Sequence, residues 1–357
     1  KDCLEKLEGM YAFAIHDAQT GETFMASDPT GQKSIYMYEN NDAIVFASEM
    51  NALVSNPHRQ KSWDQEGLAE IVAHRFIVGD NTHVKEIRKL TPGTFATMSK
   101  ERGFEQKPFY QVPIGDQSRD DVAAIQADIR KAVIDGNRRT FNLEVPYGML
   151  LSGGIDSTLV LGQAHARGLP MKTYSVGFRP TDERISGAQT MFNEFPHSRA
   201  VAERYGTDHT EIELTDVDYC EYLDRWCEMS GEVLGSQEAP CLIKLFETVG
   251  QDARVIFSGS GPDELFDGYS YGKRMEGTPL GALPEKYFDS FHWSGDVDLQ
   301  RLMPGMDAKG ITAAKYRRFL EPYGDQVQDA LQATQLIHFH GRLGAYEFRQ
   351  MDTISMA

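Results

Sequence analysis

The sequence predicts an α/β protein in which a doubly wound parallel sheet follows an antiparallel β-layer. Three observations predict it. From residue 121 onward, short apolar runs alternate with amphipathic helical segments, the pattern of parallel strands joined by crossover helices. One of those runs, Met149-Leu150-Leu151, stops at Ser152-Gly153-Gly154 and enters a helical segment near Ser157, so strand, glycine turn and helix follow one another. Before residue 60 the pattern changes to short strands divided by turn residues, as in an antiparallel meander.

Taken in order, 10–16 is a strand of alternating small and large residues, Asp17 to Gly21 a hairpin turn and 22–26 the returning strand. Asp28-Pro29-Thr30-Gly31 is another turn, 34–38 a strand, and Asn40-Asn41-Asp42 a tight turn into a strand over 43–47. Residues 68–73 are helical and 95–98 a strand. Residues 102–120, with Gly103, Pro108, Pro113 and Gly115, read as the connection between two parts, its linker proper at 113–120. A charged amphipathic helix over 122–137 leads to the strand before the glycine turn. Strands over 172–178, 210–214 and 254–257 follow, separated by a helix ending at Gly206 and another over 240–247. The last stretch, 332–357, is helical. The segment 179–196 has no clear assignment.

Composition bounds the function. The 357 residues suffice for two ordinary domains. A hydrophobic content of 41% with 25% charged residues describes a soluble globular protein, and no apolar run has the length needed to span a bilayer. No secretory signal opens the chain, so a cytoplasmic location is expected. The formal charge of −17 argues against a nucleic-acid backbone as partner, since phosphate tracking requires basic surface. The four cysteines, Cys3, Cys220, Cys227 and Cys241, fit no zinc spacing and read as thiols of a reducing compartment.

The chemistry concentrates at 147–157. Gly153 and Gly154 let backbone N–H groups crowd round an anion, and the helix start adds the positive end of its dipole. Ser152 and Ser157 supply hydroxyls, and Asp156 a carboxylate able to hold Mg2+. Such a site grips the pyrophosphate of a nucleotide. It lacks the lysine of a Walker A loop and the spacing of a dinucleotide fingerprint. The pattern SGGxDS resembles the PP-loop of ATP pyrophosphatases, which cleave ATP to AMP and pyrophosphate.

A second signature strengthens the resemblance. Residues 258–269, Ser-Gly-Ser-Gly-Pro-Asp-Glu-Leu-Phe-Asp-Gly-Tyr, resemble the SGxGxDExFxGY segment of asparagine synthetases. Residues 9–17, 26–36 and 46–53 are similar to successive segments of the class II glutamine amidotransferase domain fused to those enzymes, although Ser27 and Ser34 stand where that pattern has Arg and Pro. Residues 85–94 resemble its RKLPPG turn, 198–209 the ARAVAEHLGT segment, and 352–357 the DRMSMA motif with Thr353 in place of Arg.

The resemblance covers essentially the whole chain and implies the following. Residues 1–112 are the C-terminal part of an N-terminal-nucleophile glutaminase, an αββα fold, with its nucleophile and glutamine pocket outside this sequence. Residues 121–357 are a PP-loop synthetase domain, also cut short at its C-terminal end. The enzyme is an ATP-dependent amide ligase using ATP and Mg2+, which converts a carboxylic acid, L-aspartate first, to an acyl-adenylate and then to an amide with glutamine-derived ammonia. Leu150 and Val176 lie at the adenine, Ser152, Gly153, Gly154, Asp156 and Ser157 at the pyrophosphate, and Ser258 and Gly259 at the ribose and α-phosphate. Asp156 and Asp263 face the metal, and Glu264 and Tyr269 complete the catalytic set. The resemblance also leaves room for a homodimer. Ser260 stands where glutamine-dependent asparagine synthetases carry an acid, which keeps open a biosynthetic relative that closes a β-lactam or macrocycle or amidates a peptide or sugar. A non-catalytic nucleotide-binding homologue is the remaining alternative.

Overall fold

The computed structural model describes residues 2–39, 43–55, 62–115, 121–179, 193–270, 272–291 and 299–356. The Asn40–Asp42 turn, most of the 179–196 segment, part of the 113–120 linker and Ala357 lie outside the described residues. The chain forms two compact units. One gathers residues 1–114, 229–236 and 263–356; the other gathers 115–228 and 237–262.

The first unit contains two antiparallel sheets rather than one meander. Strands β1 (Ala12–Asp17) and β2 (Glu22–Ser27) form a hairpin, and β3 (Tyr36–Glu39) pairs with β4 (Ile44–Ala47) and with β5 (Ile87–Lys89). Strands β6 (Thr94–Ser99) and β7 (Gly103–Pro108) join the hairpin in the order β1-β2-β6-β7. The turn after β2 separates the sheets. There Asp28, itself buried, accepts backbone N–H bonds from Thr30, Gln32, Lys33 and Tyr11, which fixes a chain reversal that a hairpin does not need. Residues 103–108, read from the sequence as connection, form an edge strand. Its Gly and Pro sit at the two ends, where neither breaks the ladder.

Side-chain alternation assigns the faces. Met25 of β2 and Ala96 of β6 pack with Ile35, Met37 and Leu90, which joins the two sheets in one core. Their neighbours Ala26 and Phe95 point the other way, to Leu4 and the rings of Tyr11, Phe13, Phe24 and Phe109. Helical segments complete this unit. Among them are Gln65–His74, Leu283–Phe291, Ala308–Leu320 and Ala330–Ile337, with a core at Ala69, Ala73, Phe288 and Ala308.

The second unit is the doubly wound sheet. Strands β8 (Tyr147–Leu150), β9 (Lys172–Phe178), β10 (Asp208–Leu214) and β11 (Val255–Phe257) run parallel in the order β10-β9-β8-β11. Met149, Leu151 and Phe257 pack on one face with Leu161 and Ala164 of helix Ile155–His165 and Ala202 of helix Phe195–Tyr205. Tyr174 and Ile212 pack on the other with Leu245 and Val249 of helix Ala239–Val249. Near-continuous apolar strands covered on both faces are what a parallel sheet requires. Among the described residues no helix is long and apolar enough to cross a membrane.

Candidate functional site

In the second unit, β8 delivers the chain to the carboxyl edge of the sheet, where ligands of open α/β sheets sit. Leu151 is still buried and its N–H donates to the Tyr174 carbonyl of β9. The chain then turns through Ser152 and Gly153 into helix Ile155–His165, with Gly154 at its N-cap. Gly153 has φ +85°, a left-handed conformation, and a Cβ there would run into the backbone of His197. Position 153 therefore admits only glycine, on conformation and on space.

Hydroxyls close the loop. The Gly154 N–H donates to Ser152 Oγ at 3.2 Å, Ser152 Oγ and Ser157 Oγ lie 3.1 Å apart, and Ser157 donates to the Gly154 carbonyl at 3.2 Å. No side chain caps the N–H groups of the helix start. They and the dipole are directed into the turn, an arrangement that suits phosphate oxygens. Asp156 lies in the first helical turn and is half-buried, while its neighbour Ile155 is 86% exposed.

The strand β11 brings the start of the second motif to the same place. Ser258 and Gly259 follow it directly, and a Cβ on Gly259 would stand 2.5 Å from the Ser157 nitrogen and 2.9 Å from the Asp156 carbonyl carbon. The two glycine loops are thus in backbone contact. The Ser260 N–H closes back on Ser258 Oγ at 3.4 Å. Leu150 and Val176, at the ends of adjacent strands, pack against the same cluster of Tyr174, Ile212 and Leu245. So Leu150, Ser152, Gly153, Gly154, Asp156, Ser157, Val176, Ser258 and Gly259 all lie along the carboxyl edge of one sheet. Further along that sheet, His209 sits between Thr173 Oγ1 at 2.9 Å and Ser175 Oγ at 3.2 Å, and burial holds its ring below the usual histidine range.

Asp263, Glu264 and Tyr269 belong to the first unit. There Asp263 is exposed and Glu264 is only 1% exposed, because adjacent residues of the short helix Pro262–Phe266 point about 100° apart. The Gly268 N–H donates to the Asp263 carbonyl at 3.0 Å. The Tyr269 hydroxyl donates to Glu264 Oε1, and the Arg342 Nε lies 3.5 Å from the same oxygen. Burial raises the Tyr269 phenol well above its ordinary range, so it stays protonated. Arg342 escaped the sequence reading. It lies far along the chain in a segment without a motif, and the only trace is its company of aromatic residues.

Among the described residues no three metal-ligating side chains of His, Cys, Asp or Glu come together. The protein offers single carboxylates with hydroxyl and backbone donors beside them. That set fits a hard ion held partly by phosphate oxygens.

Comparison with known proteins gives the family. The asparagine synthase family model matches residues 128–357, and the glutamine amidotransferase domain model matches residues 1–110. The chain is 26% identical over 285 residues to asparagine synthetase [glutamine-hydrolyzing] 1 of Bacillus subtilis, covering 80% of this chain and 43% of the relative. It is 25% identical over 277 residues to a putative asparagine synthetase [glutamine-hydrolyzing] 2 of Methanocaldococcus jannaschii, covering 75% and 51%. It is also 22% identical over 368 residues to the amidase chyE of Penicillium rubens, covering 98% and 52%. The chain spans about half the length of these curated relatives. With well over half of its residues matched by that model, the chain belongs to the asparagine synthase family.

Proposed function

We propose that this chain carries the adenylating site of an ATP-dependent amide-forming synthetase. A substrate carboxylate oxygen attacks the α-phosphorus of ATP; the bond to the β-phosphate oxygen breaks, giving an acyl-adenylate and pyrophosphate. Ammonia then attacks the acyl carbon, an amide forms, AMP leaves, and a proton is released from the nitrogen. The observation that carries this reading is the backbone contact of Gly259 with Asp156 and Ser157, which brings two glycine loops together at one sheet edge.

In that reading Ser152, Gly153, Gly154 and Ser157 hold the pyrophosphate as it leaves, and Ser258 and Gly259 border the ribose and α-phosphate. Leu150 and Val176 offer an apolar seat to the base. Asp156 and Asp263 are the carboxylates offered to Mg2+ arriving with the nucleotide, and the metal would neutralise charge on the phosphates. Most of the rate enhancement comes from fixed donors aimed at developing charge. Glu264 and Tyr269 complete the set.

The acid is L-aspartate in the main reading and the ammonia comes from glutamine, following the names of the bacterial and archaeal relatives. A second acceptor is favoured by Ser260 and by the likeness of nearly the whole chain to an amidase. Aspartate-dependent ATP–pyrophosphate exchange on the longest native form of the protein separates the readings. Exchange with aspartate supports asparagine formation, and exchange with another acid alone selects the second. Asp156→Asn is expected to abolish exchange; an unchanged rate would sink the role of Asp156.

A further inference from the structure

A dense gathering of charged and aromatic groups surrounds Arg342 in the first unit. Its guanidinium carbon lies 4.6 Å from the ring centre of Phe291, 4.8 Å from that of Tyr269 and 5.4 Å from that of Tyr346. Its Nη2 donates to Glu347 at 2.7 Å and its Nε faces Glu264 at 3.5 Å. The arginine side chain is 11% exposed and that of Glu264 2%. A planar cation can stack on rings and pair with carboxylates at its edge at the same time, which an ammonium cannot do.

The backbone is shaped for this pairing. Arg342 and Glu347 are five residues apart in a stretch, His338–Glu347, that winds as a π-helix. In an α-helix a residue five positions on points about 140° away. The wider winding brings the two onto one side, and such windings recur at functional sites. His338, next to Arg342, is pushed by burial down to about 3, so it adds no competing positive charge.

The reason for holding Glu264 so firmly lies next to it. Helix Pro262–Phe266 has five residues, too few to be stable alone. Glu264 faces inward to Arg342 and Tyr269, while Asp263 faces outward. Fixing the inward residue fixes the direction of the outward one.

We propose that Arg342 is a positioning residue for the synthetase reaction. Through Glu264 and Tyr269 it anchors the turn that presents Asp263. Arg342 itself touches no substrate, and Glu264 and Tyr269 act as its partners inside the turn. The inference rests on the reading above that Asp263 serves the nucleotide.

The test compares Arg342→Ala and Arg342→Lys with wild type in ATP–pyrophosphate exchange, using the acid that wild type accepts, with and without added methylguanidinium. Lys315→Met, which removes another buried cation of the same unit, is the control. Arg342→Ala is expected to lower kcat about 10²-fold while KM for ATP stays within about threefold, the cost of a misplaced group. Methylguanidinium is expected to restore a large part of the loss by refilling the ring cage, and Arg342→Lys to fall between. A kcat per folded molecule equal to wild type, or no response to methylguanidinium, overturns the proposal. Should Arg342→Ala fail to fold, Glu347→Gln tests the same anchor by removing the carboxylate that holds Arg342: a lowered kcat with unchanged KM supports it, and unchanged kcat overturns it. Wild type that is silent with every acid overturns the synthetase reading and this proposal together. An active wild type with an equally active Arg342→Ala overturns the positioning role alone.

Discussion

The loop at 152–157 and the turn at 263–269 are built by opposite means. In the first, the hydrogen bonds that close the turn come from Ser152, Gly154 and Ser157, all within six residues. In the second, the partners of Glu264 include Arg342, which is in turn held by Glu347 and three rings. A loop that holds itself needs only glycines and small hydroxyls. A turn that leans on remote charge fails whenever the remote element shifts, and gains a point at which it can be tuned.

The largest effect is expected where the self-held loop meets its neighbour. Gly259→Ala would put a methyl 2.5 Å from the Ser157 nitrogen, a backbone group unable to yield. Exchange activity is expected to fall by roughly three orders of magnitude or more, with ATP binding lost in calorimetry, as expected when a group sits about 1 Å or more out of place. Retained ATP affinity would show that the loop accommodates the methyl and is less rigid than the comparison holds. The loss for Arg342→Ala is expected to be smaller, because the remote cage biases the turn without forming it.

The pair Glu70–Lys315 sharpens the comparison, since it is also remote in sequence and buried, and the partners of Lys315 belong to neither loop. Lys315 Nζ donates to Glu70 at 2.5 Å and to the Val78 carbonyl at 2.9 Å. Lys315→Met is expected to cost about 3 kcal/mol in denaturant unfolding, from the unpaired buried carboxylate, with kcat of the folded fraction unchanged. A fall in kcat would mean that any buried pair affects turnover, and the special standing of Arg342 would go.

Burial pushes the Glu70 carboxyl up from 4.5 to about 7, against the pull of Lys315. A folded state that keeps a proton which the unfolded chain has lost grows less stable as pH rises. Stability should therefore decline between about pH 4.5 and 7, by at most about 1.4 kcal/mol per pH unit from this group. Glu70→Gln is expected to flatten that slope in thermal melts taken across the same range; an unchanged slope would assign it to another group. The smallest effect is expected at Arg199–Glu211, a two-pronged pair at 2.7 and 3.0 Å on the exposed edge of β10. Arg199→Gln should change unfolding free energy by less than about 1 kcal/mol, and a larger change would place that edge among the structural supports.

How much of this was legible follows the same division. Strand β9 was readable to its ends, Lys172 and Phe178, because its apolar run is bounded on both sides. The 152–157 loop was readable because its chemistry and its geometry share the same few residues. Periodicity alone reads the two sheets of the first unit as one meander, and only the resemblance implies two β-layers, since the side-chain bonds of Asp28 that separate them leave no mark in periodicity. β7 looked like a connection because glycine and proline at its ends resemble turn residues. Arg342 was invisible for a stronger reason. A π-helical winding has no sequence signature, and a cage exists only once Tyr269, Phe291 and Tyr346 have converged.

The discontinuity of the first unit reaches into how the protein is made. Glu70 leaves the ribosome 245 residues before the lysine that neutralises it. At roughly 5–20 residues per second that is a wait of about 10 to 50 s. Over that interval the strands made first have their partners among themselves, but the carboxylate of Glu70 must stay in water and the helix that carries it cannot settle. Residues 115–228 and 237–262 are complete well before residue 356 appears. The unit that holds residues 1–114 therefore finishes folding after the unit its segments flank, and translation pauses between residues 262 and 356 would lengthen its exposure to chaperones and proteases.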